Sequence, residues 1–258
     1  FQLDVFGETA DALHHARRFG LDYADVGWQF ERSLLAHLET VWEEPDEGIW
    51  EVRSGRQHFT HSKVMAWVAF DRAVKDVERL GLEGPVDRWR TIAARIHDDI
   101  CTRGFDPALN SFVQYYGGRG VDASLLLLPL VGFLPIDDPR VTATVAAIEK
   151  RLIRDGLVYR YSHDTEVDGL PPGEGTFILC SWWLADVYTL QGRRHEAEAM
   201  VERLMALRTD LGLLAEEFDP HANRQLGNFP QAFSHIGLIN TVRNLWASGG
   251  AAEERRKG

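Results

Sequence analysis

The chain has 258 residues, of which 45% are hydrophobic and 26% charged, and its formal net charge is −11 at pH 7. This size and apolar content are sufficient for a large buried core, in one large domain or two smaller ones. The acidic balance, with no cluster of Lys and Arg before the terminal ERRKG, argues against binding to nucleic acid or to an anionic membrane. The longest apolar run, at 125–135, is too short and too interrupted by proline to span a bilayer, so we expect a soluble protein.

The apolar residues follow a helical period along almost the whole chain, so the predicted fold class is all-α, with strands confined to the connections. Helices are predicted at 4–19, 25–43, 60–80, 85–103, 121–133, 138–155, 175–190, 193–208 and 230–247. Several local signals agree with these bounds. Asp138 and Pro139 are typical of a helix start, and Gly81, Gly104 and Gly156 stand where a left-handed residue is expected after a helix.

Two kinds of helix alternate along the sequence. The helices at 85–103 and 138–155 carry one apolar stripe opposite a charged face, whereas those at 121–133 and 175–190 are apolar on nearly all sides. This alternation predicts an (α/α)6 toroid, in which sheathed inner helices form a barrel and exposed outer helices surround it. A helical solenoid is the competing arrangement, but no repeat of fixed period supports it.

The number of predicted helices bears on the domain organisation. About nine helices are three fewer than a six-pair toroid requires, and the chain starts at Phe1, already within a helical pattern. We therefore expect one barrel domain over 1–248 that lacks its first helices, followed by a polar tail at 249–258. Two cysteines, Cys101 and Cys180, lie in helical patterns, and no signal peptide opens the chain, which is typical of a cytoplasmic protein without a disulfide framework.

The long connections are rich in ionisable and aromatic residues. They cover 43–60, 104–121, 155–175 and 208–230, and each leads from an outer to an inner helix, so all four are expected at one end of the barrel. Aromatic faces stack on the C–H faces of a sugar, and paired carboxyl groups suit the hydrolysis of a glycosidic bond. The sequence therefore predicts a carbohydrate pocket at that end.

Hydrolysis of a glycosidic bond needs one protonated carboxyl group and one carboxylate. Glu51 follows Trp50 among apolar neighbours, which would remove water from the carboxyl group and favour its protonated form, so Glu51 is the predicted acid. Glu216 and Glu217 are candidates for the second group. Adjacent residues in an extended segment point to opposite sides, and their spacing does not select between them.

Five ordered blocks of the sequence resemble the catalytic part of glycoside hydrolase family 15, the glucoamylase, glucodextranase and trehalase group. They are GIWEVRSGRQHFTHSKVMAW, YYGGRGVDASLLLLPLVGFLP, YRYSHDT, GEGTFILCSWWLADVY and LLAEEFDPHANRQLGNFPQAFSHIGLI. The resemblance implies an (α/α)6 barrel and an inverting, exo-acting hydrolase that releases glucose from an α-glucoside. It assigns the general acid to Glu51 and the general base to Glu216, and it implies that Arg160 and Tyr161 hold glucose hydroxyl groups.

The segments QHFTHSKVMAW and AEEFDP look most like the bacterial trehalase-type branch, which favours α,α-trehalase over a glucoamylase-like or isomaltose-type enzyme. Two features depart from the family. Val52 and Arg53 follow Glu51, where a second Glu is frequent, and the Trp-Pro-Arg-Asp segment of the family is absent. We expect that segment in a missing N-terminal part of the same protein, which would be a partner of this chain.

Some candidate site residues could instead have a purely structural role. Trp50, His58 and Glu217 are further candidates for substrate binding, but His58 and His61 could instead form a helix-capping network around Thr60. The residues His163, Asp164 and Glu166 lack the spacing of a zinc site, Trp182 is expected in the core, and no metal or cofactor is predicted.

Two other classes of function stay open from the sequence. One is a non-catalytic helical toroid that binds a carbohydrate or a protein. The other is a lyase or epimerase in which His221 or Tyr161 carries the proton.

Overall fold

The helices begin and end close to the positions that the apolar period predicts. The computed structural model describes residues 1–21, 25–161 and 175–246. Within these ranges the α-helices are α1 Asp4–Arg18, α2 Asp25–Val41, α3 Thr60–Leu80, α4 Val86–Arg103, α5 Leu127–Leu130, α6 Pro139–Leu152, α7 Ile178–Leu190, α8 Arg194–Ala206 and α9 Ala232–Trp246. The predicted tail at 249–258 lies outside the described residues.

The strands are short and lie in the connections, as the sequence predicts for the described ranges. They are β1 Phe105–Asp106, β2 Ser111–Phe112, β3 Ile153–Arg154, β4 Leu157–Val158, β5 Thr176–Phe177, β6 Glu217–Asp219 and β7 Arg224–Leu226. Strands β3 and β4 form an antiparallel pair, and β5, β6 and β7 form an antiparallel sheet in that order. None of the helices in the described ranges combines the length and the apolar character that crossing a membrane requires.

The helix predicted at 121–133 is wrong in its extent. The segment forms a 3-10 turn at Ala123–Leu126, followed by the single-turn helix α5. Asp122 caps the 3-10 turn, because its Oδ1 accepts a hydrogen bond of 2.7 Å from the backbone N–H of Ser124. Gly132 adopts a φ of 78° after α5, a left-handed conformation that ends a helix. The apolar residues of this segment therefore predicted its burial correctly, but they predicted a longer helix than the one that forms.

The predicted helix ends are only partly confirmed. Asp138 accepts a hydrogen bond from the N–H of Arg140 at the start of α6, and Gly81 follows α3 with a φ of 67°. Gly104, by contrast, has a φ of −84°, and it is small because a Cβ there would lie 2.8 Å from the carbonyl oxygen of Ile100. Gly156 does have a positive φ, but it belongs to the turn between β3 and β4.

Contacts between residues divide the described chain into two compact units. The first contains Phe1–Asp106 and Val113–Gly118, and the second contains Pro107–Phe112 together with the chain from Arg119 onward. In the first unit α3 packs against both α1 and α4. The prediction of one domain over 1–248 stays a prediction.

Close helix packing and buried charges hold the first unit together. A Cβ at Gly7 of α1 would lie 2.1 Å from the carbonyl oxygen of Met65, so the backbones of α1 and α3 are nearly in contact. Arg17 of α1 forms buried ion pairs with Glu31 of α2 and Asp76 of α3. Removing one partner of a buried ion pair leaves a buried charge uncompensated, so these pairs couple α1 to α2 and α3.

The second unit is built around α7. This helix is buried on nearly all sides, and α8 and α9 pack against it and against each other. In α6 the buried residues form one stripe, Val141, Thr144, Val145, Ile148 and Leu152. The predicted contrast between a sheathed helix and a one-sided helix is therefore confirmed within this unit. Sheet β5-β6-β7 leads directly into the start of α7.

Candidate active site

The loop between α2 and α3 carries the predicted acid. Its two ends are joined by a backbone pair, in which Asp46 and Gln57 each donate an N–H to the carbonyl of the other at 3.0 and 2.9 Å. Inside the loop, the N–H of Glu51 donates to the carbonyl of Gly48 at 3.1 Å. Gly48 has a φ of 69°, and a Cβ there would lie 2.7 Å from the ring of Phe59. The turn that presents Glu51 therefore depends on glycine for both its conformation and its space.

Glu51 itself adopts a φ of 51°, the left-handed conformation that costs a residue other than glycine on the order of 1 kcal/mol. Its side chain is exposed. The expectation that apolar neighbours exclude water from this carboxyl group is wrong for the described structure. The reason is the turn, which directs Val52 into the protein and leaves Glu51 facing out. Strained residues of this kind cluster at functional sites.

A cluster of apolar and aromatic side chains packs beneath the turn at Glu51, on its buried side. Val52 and Phe59 are buried, at 3% and 4% exposure, and Trp50 and Tyr115 pack against them. The rings of Phe59 and Tyr115 meet edge to face with centroids 6.0 Å apart, a favoured geometry for an aromatic pair. The cluster brings the connection that follows α4 against the α2–α3 loop.

His58 lies against a second aromatic residue in the same unit. Its ring stacks on Tyr116 with centroids 6.0 Å apart, and the hydroxyl of Tyr116 donates to Asp99 at 2.9 Å. Burial lowers the pKa of His58, and the charges of Lys63 and Arg103 lower it further. The imidazole is therefore neutral at pH 7, with one nitrogen available as a donor and the other as an acceptor.

The alternative of a capping network around Thr60 is wrong. Phe59 is the capping residue of α3 and makes no side-chain cap, while the hydroxyl of Thr60 donates to the carbonyl of Val113. His61 is 2% exposed, and neither ring nitrogen has a hydrogen-bond partner among the described residues. Burial lowers its pKa to about 4, so His61 is a neutral residue of the core.

Lys63 ties the start of α3 to the end of α2. Its ammonium group is buried and donates to the carbonyl of Trp42 at 2.6 Å and to that of Glu44. Burial lowers its pKa to about 8, and Asp46 opposes the shift. A cation at the last carbonyls of a helix satisfies groups that have no partner within the helix. Lys63 thus anchors the segment that leads into the Glu51 loop.

In the second unit, Glu217 and Arg160 lie together beside β5. Glu217 accepts a hydrogen bond of 3.1 Å from the N–H of Gly175, and a long ion pair of 3.9 Å joins its carboxylate to Arg160. The guanidinium of Arg160 lies over the rings of Tyr161 and Phe177, 5.6 Å from each centroid. Tyr161 is only 4% exposed, and its backbone pairs with that of Asp122.

Glu216 takes different partners from those of Glu217. Its Oε2 accepts hydrogen bonds from the backbone N–H and the side-chain amide of Asn228, at 3.1 and 3.2 Å. Its Oε1 accepts one from the side-chain amide of Gln231, at 3.3 Å. The predicted divergence of the two adjacent carboxylates is confirmed in their contacts. Every group that touches Glu216 through these bonds is a neutral N–H donor, and both carboxylate oxygens act as acceptors.

Sequence reasoning did not identify Asn228 and Gln231. The signal was present, because both residues lie in the short segment before α9, where polar side chains commonly bond to backbone or to neighbouring loops. Trp182, in contrast, is fully buried, as the prediction of a core residue requires. Burial raises the pKa of the nearby Cys180 thiol, so it stays protonated.

The predicted site residues that the structure describes are divided between the two units. Trp50, Glu51 and His58 lie in the first unit, and Arg160, Tyr161, Glu216 and Glu217 lie in the second. His163, Asp164 and Glu166 lie outside the described residues. Among the residues that the structure does describe, no group of three or more His, Cys, Asp or Glu side chains could hold a metal ion.

Comparison with known proteins places these residues in a family context. The family model described as glycosyl hydrolases family 15 matches residues 1–243. The chain is 40% identical over 245 residues to a trehalase of Thermoplasma acidophilum and 45% identical over 242 residues to a trehalase of Mycobacterium tuberculosis. These matches cover 95% and 93% of the chain but 42% and 35% of the two relatives. The chain therefore spans less than half the length of the curated relatives that it matches.

Solved structures are similar at lower identity. A bacterial glucoamylase in complex with acarbose has a TM-score of 0.81 at 14% identity, covering 99% of this chain and 43% of that one. A glycosidase variant in complex with glucose has a TM-score of 0.79 at 24% identity, covering 95% and 67%. Such a likeness establishes the fold, and the predicted (α/α)6 class, that of the glucoamylases, is confirmed.

Proposed function

Because the chain belongs to the glycosyl hydrolases family 15, we propose that the protein is an inverting, exo-acting hydrolase that releases glucose from an α-glucoside, with α,α-trehalose as its substrate. The match to trehalases over almost the whole chain supports this choice of substrate. A glucoamylase-like or isomaltose-type specificity is the second candidate, since glucoamylases share the fold.

In this proposal Glu51 protonates the glycosidic oxygen and Glu216 activates the water that attacks from the opposite face of the ring. The observation that carries the assignment is the contrast between the two carboxyl groups. Both carboxylate oxygens of Glu216 accept hydrogen bonds from neutral N–H donors, an arrangement that orients a carboxylate base. Glu51 is presented on a strained turn with its side chain exposed, free to reach a leaving group.

The remaining candidates bind the glucose unit. Trp50 offers an aromatic face, and the neutral imidazole of His58 can donate to or accept from a hydroxyl group. Arg160, Tyr161 and Glu217 are proposed to hold glucose hydroxyl groups. The guanidinium of Arg160 lies 5.6 Å from the ring centroids of Tyr161 and Phe177 and 3.9 Å from the carboxylate of Glu217, and this mixed aromatic and polar setting supports a role in binding a sugar.

The wider setting is also a proposal. We expect a cytoplasmic bacterial enzyme whose remaining part supplies the rest of the sugar site and covers apolar surface of this chain. Exposed residues along α9 support such a partner: Phe233, Ile236, Ile239 and Trp246 are 52–65% exposed. Helix faces of this kind are uncommon on the outside of a soluble protein unless another segment packs on them.

The test is hydrolysis of trehalose, maltose and isomaltose by the full-length protein and by the variants Glu51→Gln and Glu216→Gln. We expect trehalose to be the preferred substrate and each variant to lose about 10²- to 10⁴-fold in kcat, the usual contribution of a general acid or base. Glu44→Gln, an exposed glutamate near the start of the same loop, is the matched control. A Glu51→Gln enzyme with the wild-type rate would exclude the assignment. Trehalose binding without turnover by the unmodified protein would favour a non-catalytic module.

A further inference from the structure

The segment between β7 and α9 contacts the carboxylate of Glu216 through hydrogen bonds from Asn228 and Gln231. Two backbone hydrogen bonds of 3.0 Å tie the segments together, from the N–H of Glu216 to the carbonyl of Asn228 and from the N–H of Gln231 to the carbonyl of Leu214. The hydroxyl of Ser234, at the start of α9, also donates to the carbonyl of Ala215 at 2.6 Å. The position of the α9 start is therefore coupled to the position of Glu216.

Gly227 makes room for the carboxylate. Its φ is 73°, and a Cβ at this position would lie 2.6 Å from Oε2 of Glu216. Because no side chain intervenes, Oε2 can reach both the backbone N–H and the side-chain amide of Asn228. A pair of donors from one residue restricts the rotation of the carboxylate.

The amide of Gln231 has only one orientation that satisfies its neighbours. Its oxygen, Oε1, accepts a weak hydrogen bond of 3.4 Å from the backbone N–H of Phe233 in the first turn of α9. The oxygen thus faces donors at the start of the helix, and the NH₂ group faces Oε1 of Glu216 at 3.3 Å. Reversing the amide would set two oxygens against each other and would leave the helix N–H without an acceptor.

We propose that Asn228 and Gln231 are positioning residues, which hold the carboxylate of Glu216 in the orientation from which it takes a proton from the attacking water. The proposal rests on the role of Glu216 as general base. Hydrogen-bond donors to both carboxylate oxygens of Glu216 fix the plane of the carboxylate. A base displaced by about 1 Å loses on the order of 10²-fold in rate.

A purely structural role for Gln231 makes a different prediction for one isosteric change. In Gln231→Glu the helix-facing oxygen is kept, and a negative charge is added at the start of α9, where the helix dipole favours it. If Gln231 only caps the helix, this variant should be as stable and as active as the wild type. If it positions Glu216, the new carboxylate replaces the donor and repels the base.

The experiment measures kcat, KM and Tm of the full-length enzyme on trehalose for Gln231→Glu, Asn228→Ala and Glu216→Ala. Gln225→Glu is the matched control, because the Gln225 amide donates to the carbonyls of Leu207 and Leu213 instead of to Glu216.

We expect Gln231→Glu to lose about 10²-fold in kcat with KM within about twofold. Asn228→Ala should lose about tenfold in kcat, since it keeps the backbone donor. Gln225→Glu should lower Tm and leave kcat unchanged.

The outcomes separate this proposal from the proposed function. A Glu216→Ala enzyme with normal kcat would refute the role of the base, and the positioning role with it. An inactive Glu216→Ala together with wild-type kcat in Gln231→Glu and Asn228→Ala would overturn the positioning role alone. Should Gln231→Glu fail to fold, the kcat of Asn228→Ala decides the question.

Discussion

Asp4, the first residue of α1, places a carboxyl group almost completely inside the protein, at 2% exposure. Burial is the main cause that raises its pKa to about 7, and the carboxylates of Glu8 and Asp46 contribute in the same direction. Burial also raises the pKa of Asp46, while that of Lys63 nearby is lowered to about 8. Two buried groups of the first unit, Asp4 and Lys63, thus titrate near neutral pH.

The shift at Asp4 predicts how stability depends on pH. The folded state holds a proton that the unfolded chain releases near pH 4, so the stabilisation is complete below that pH and is lost as pH rises through about 7. We expect Asp4→Asn to be more stable than the wild type at pH 8, by on the order of 2–4 kcal/mol, and to show no such gain at pH 4.

Urea denaturation of both proteins at the two pH values measures the difference. The matched control is Asp25→Asn, at the exposed first turn of α2, where the carboxylate faces water. A gain for Asp4→Asn that is equally large at pH 4 would contradict the explanation.

At the scale of elements, the distance between helix axes depends on residues without side chains. Gly7 allows α1 to approach the backbone of α3, whereas Gly237 of α9 lies against the indole of Trp182 in α7, where a Cβ would come within 2.7 Å. For Gly27 of α2, the described residues outside its own stretch of helix place no atom within 4 Å of the position of a Cβ. The same residue type is thus required at two helix contacts and is dispensable at a third position.

Two alanine substitutions distinguish these cases. Gly7→Ala should reduce the free energy of unfolding by about 1–3 kcal/mol, because the new methyl group forces α1 and α3 apart. Gly27→Ala should increase it by about 0.5–1 kcal/mol, since alanine favours the helix without any clash. The free energies come from urea denaturation with the m-value monitored. A gain in stability from Gly7→Ala would mean that the two helices can separate at little cost.

At the scale of the whole molecule, catalysis by inversion requires a fixed relation between acid and base. In inverting glycosidases the two carboxyl groups are roughly 6.5–9.5 Å apart, which leaves room for one water, whereas about 5 Å is typical of retaining enzymes. The stereochemistry of the product reports this separation without any structure. It therefore tests the proposed pairing of Glu51 with Glu216 directly.

We expect the full-length enzyme to release β-glucose from the half of trehalose that the water attacks, together with α-glucose from the leaving half. Proton NMR of the anomeric region, recorded before mutarotation, distinguishes the two sugars. Equal signals for both anomers in the first minutes agree with inversion. Release of α-glucose alone would indicate retention and would reassign Glu216 as a nucleophile.

Much of the fold could be predicted because helix formation is a local property. The period of apolar residues located α3 and α7 within a few residues, and Asp138 marked the start of α6. The same period could not foresee the early end of the helix predicted at 121–133, because apolar periodicity reports which faces are buried and not where the backbone leaves the helix, as it does before the left-handed Gly132. The family blocks likewise indicated Glu51 and Glu216 as candidate catalytic residues, but they did not indicate which residues surround them.

By itself, the sequence determined the all-α class, the contrast between sheathed and one-sided helices and the family of the protein, since these depend on residue order and on short-range spacing. Only the tertiary structure decided that Glu51 is exposed on a left-handed turn, that His61 is buried without a hydrogen-bond partner in the described part of the chain, and that Glu216 is held by Asn228 and Gln231. The reason is that burial and hydrogen-bond partners are set by residues many positions away along the chain. Which of them meet depends on the path of the folded backbone.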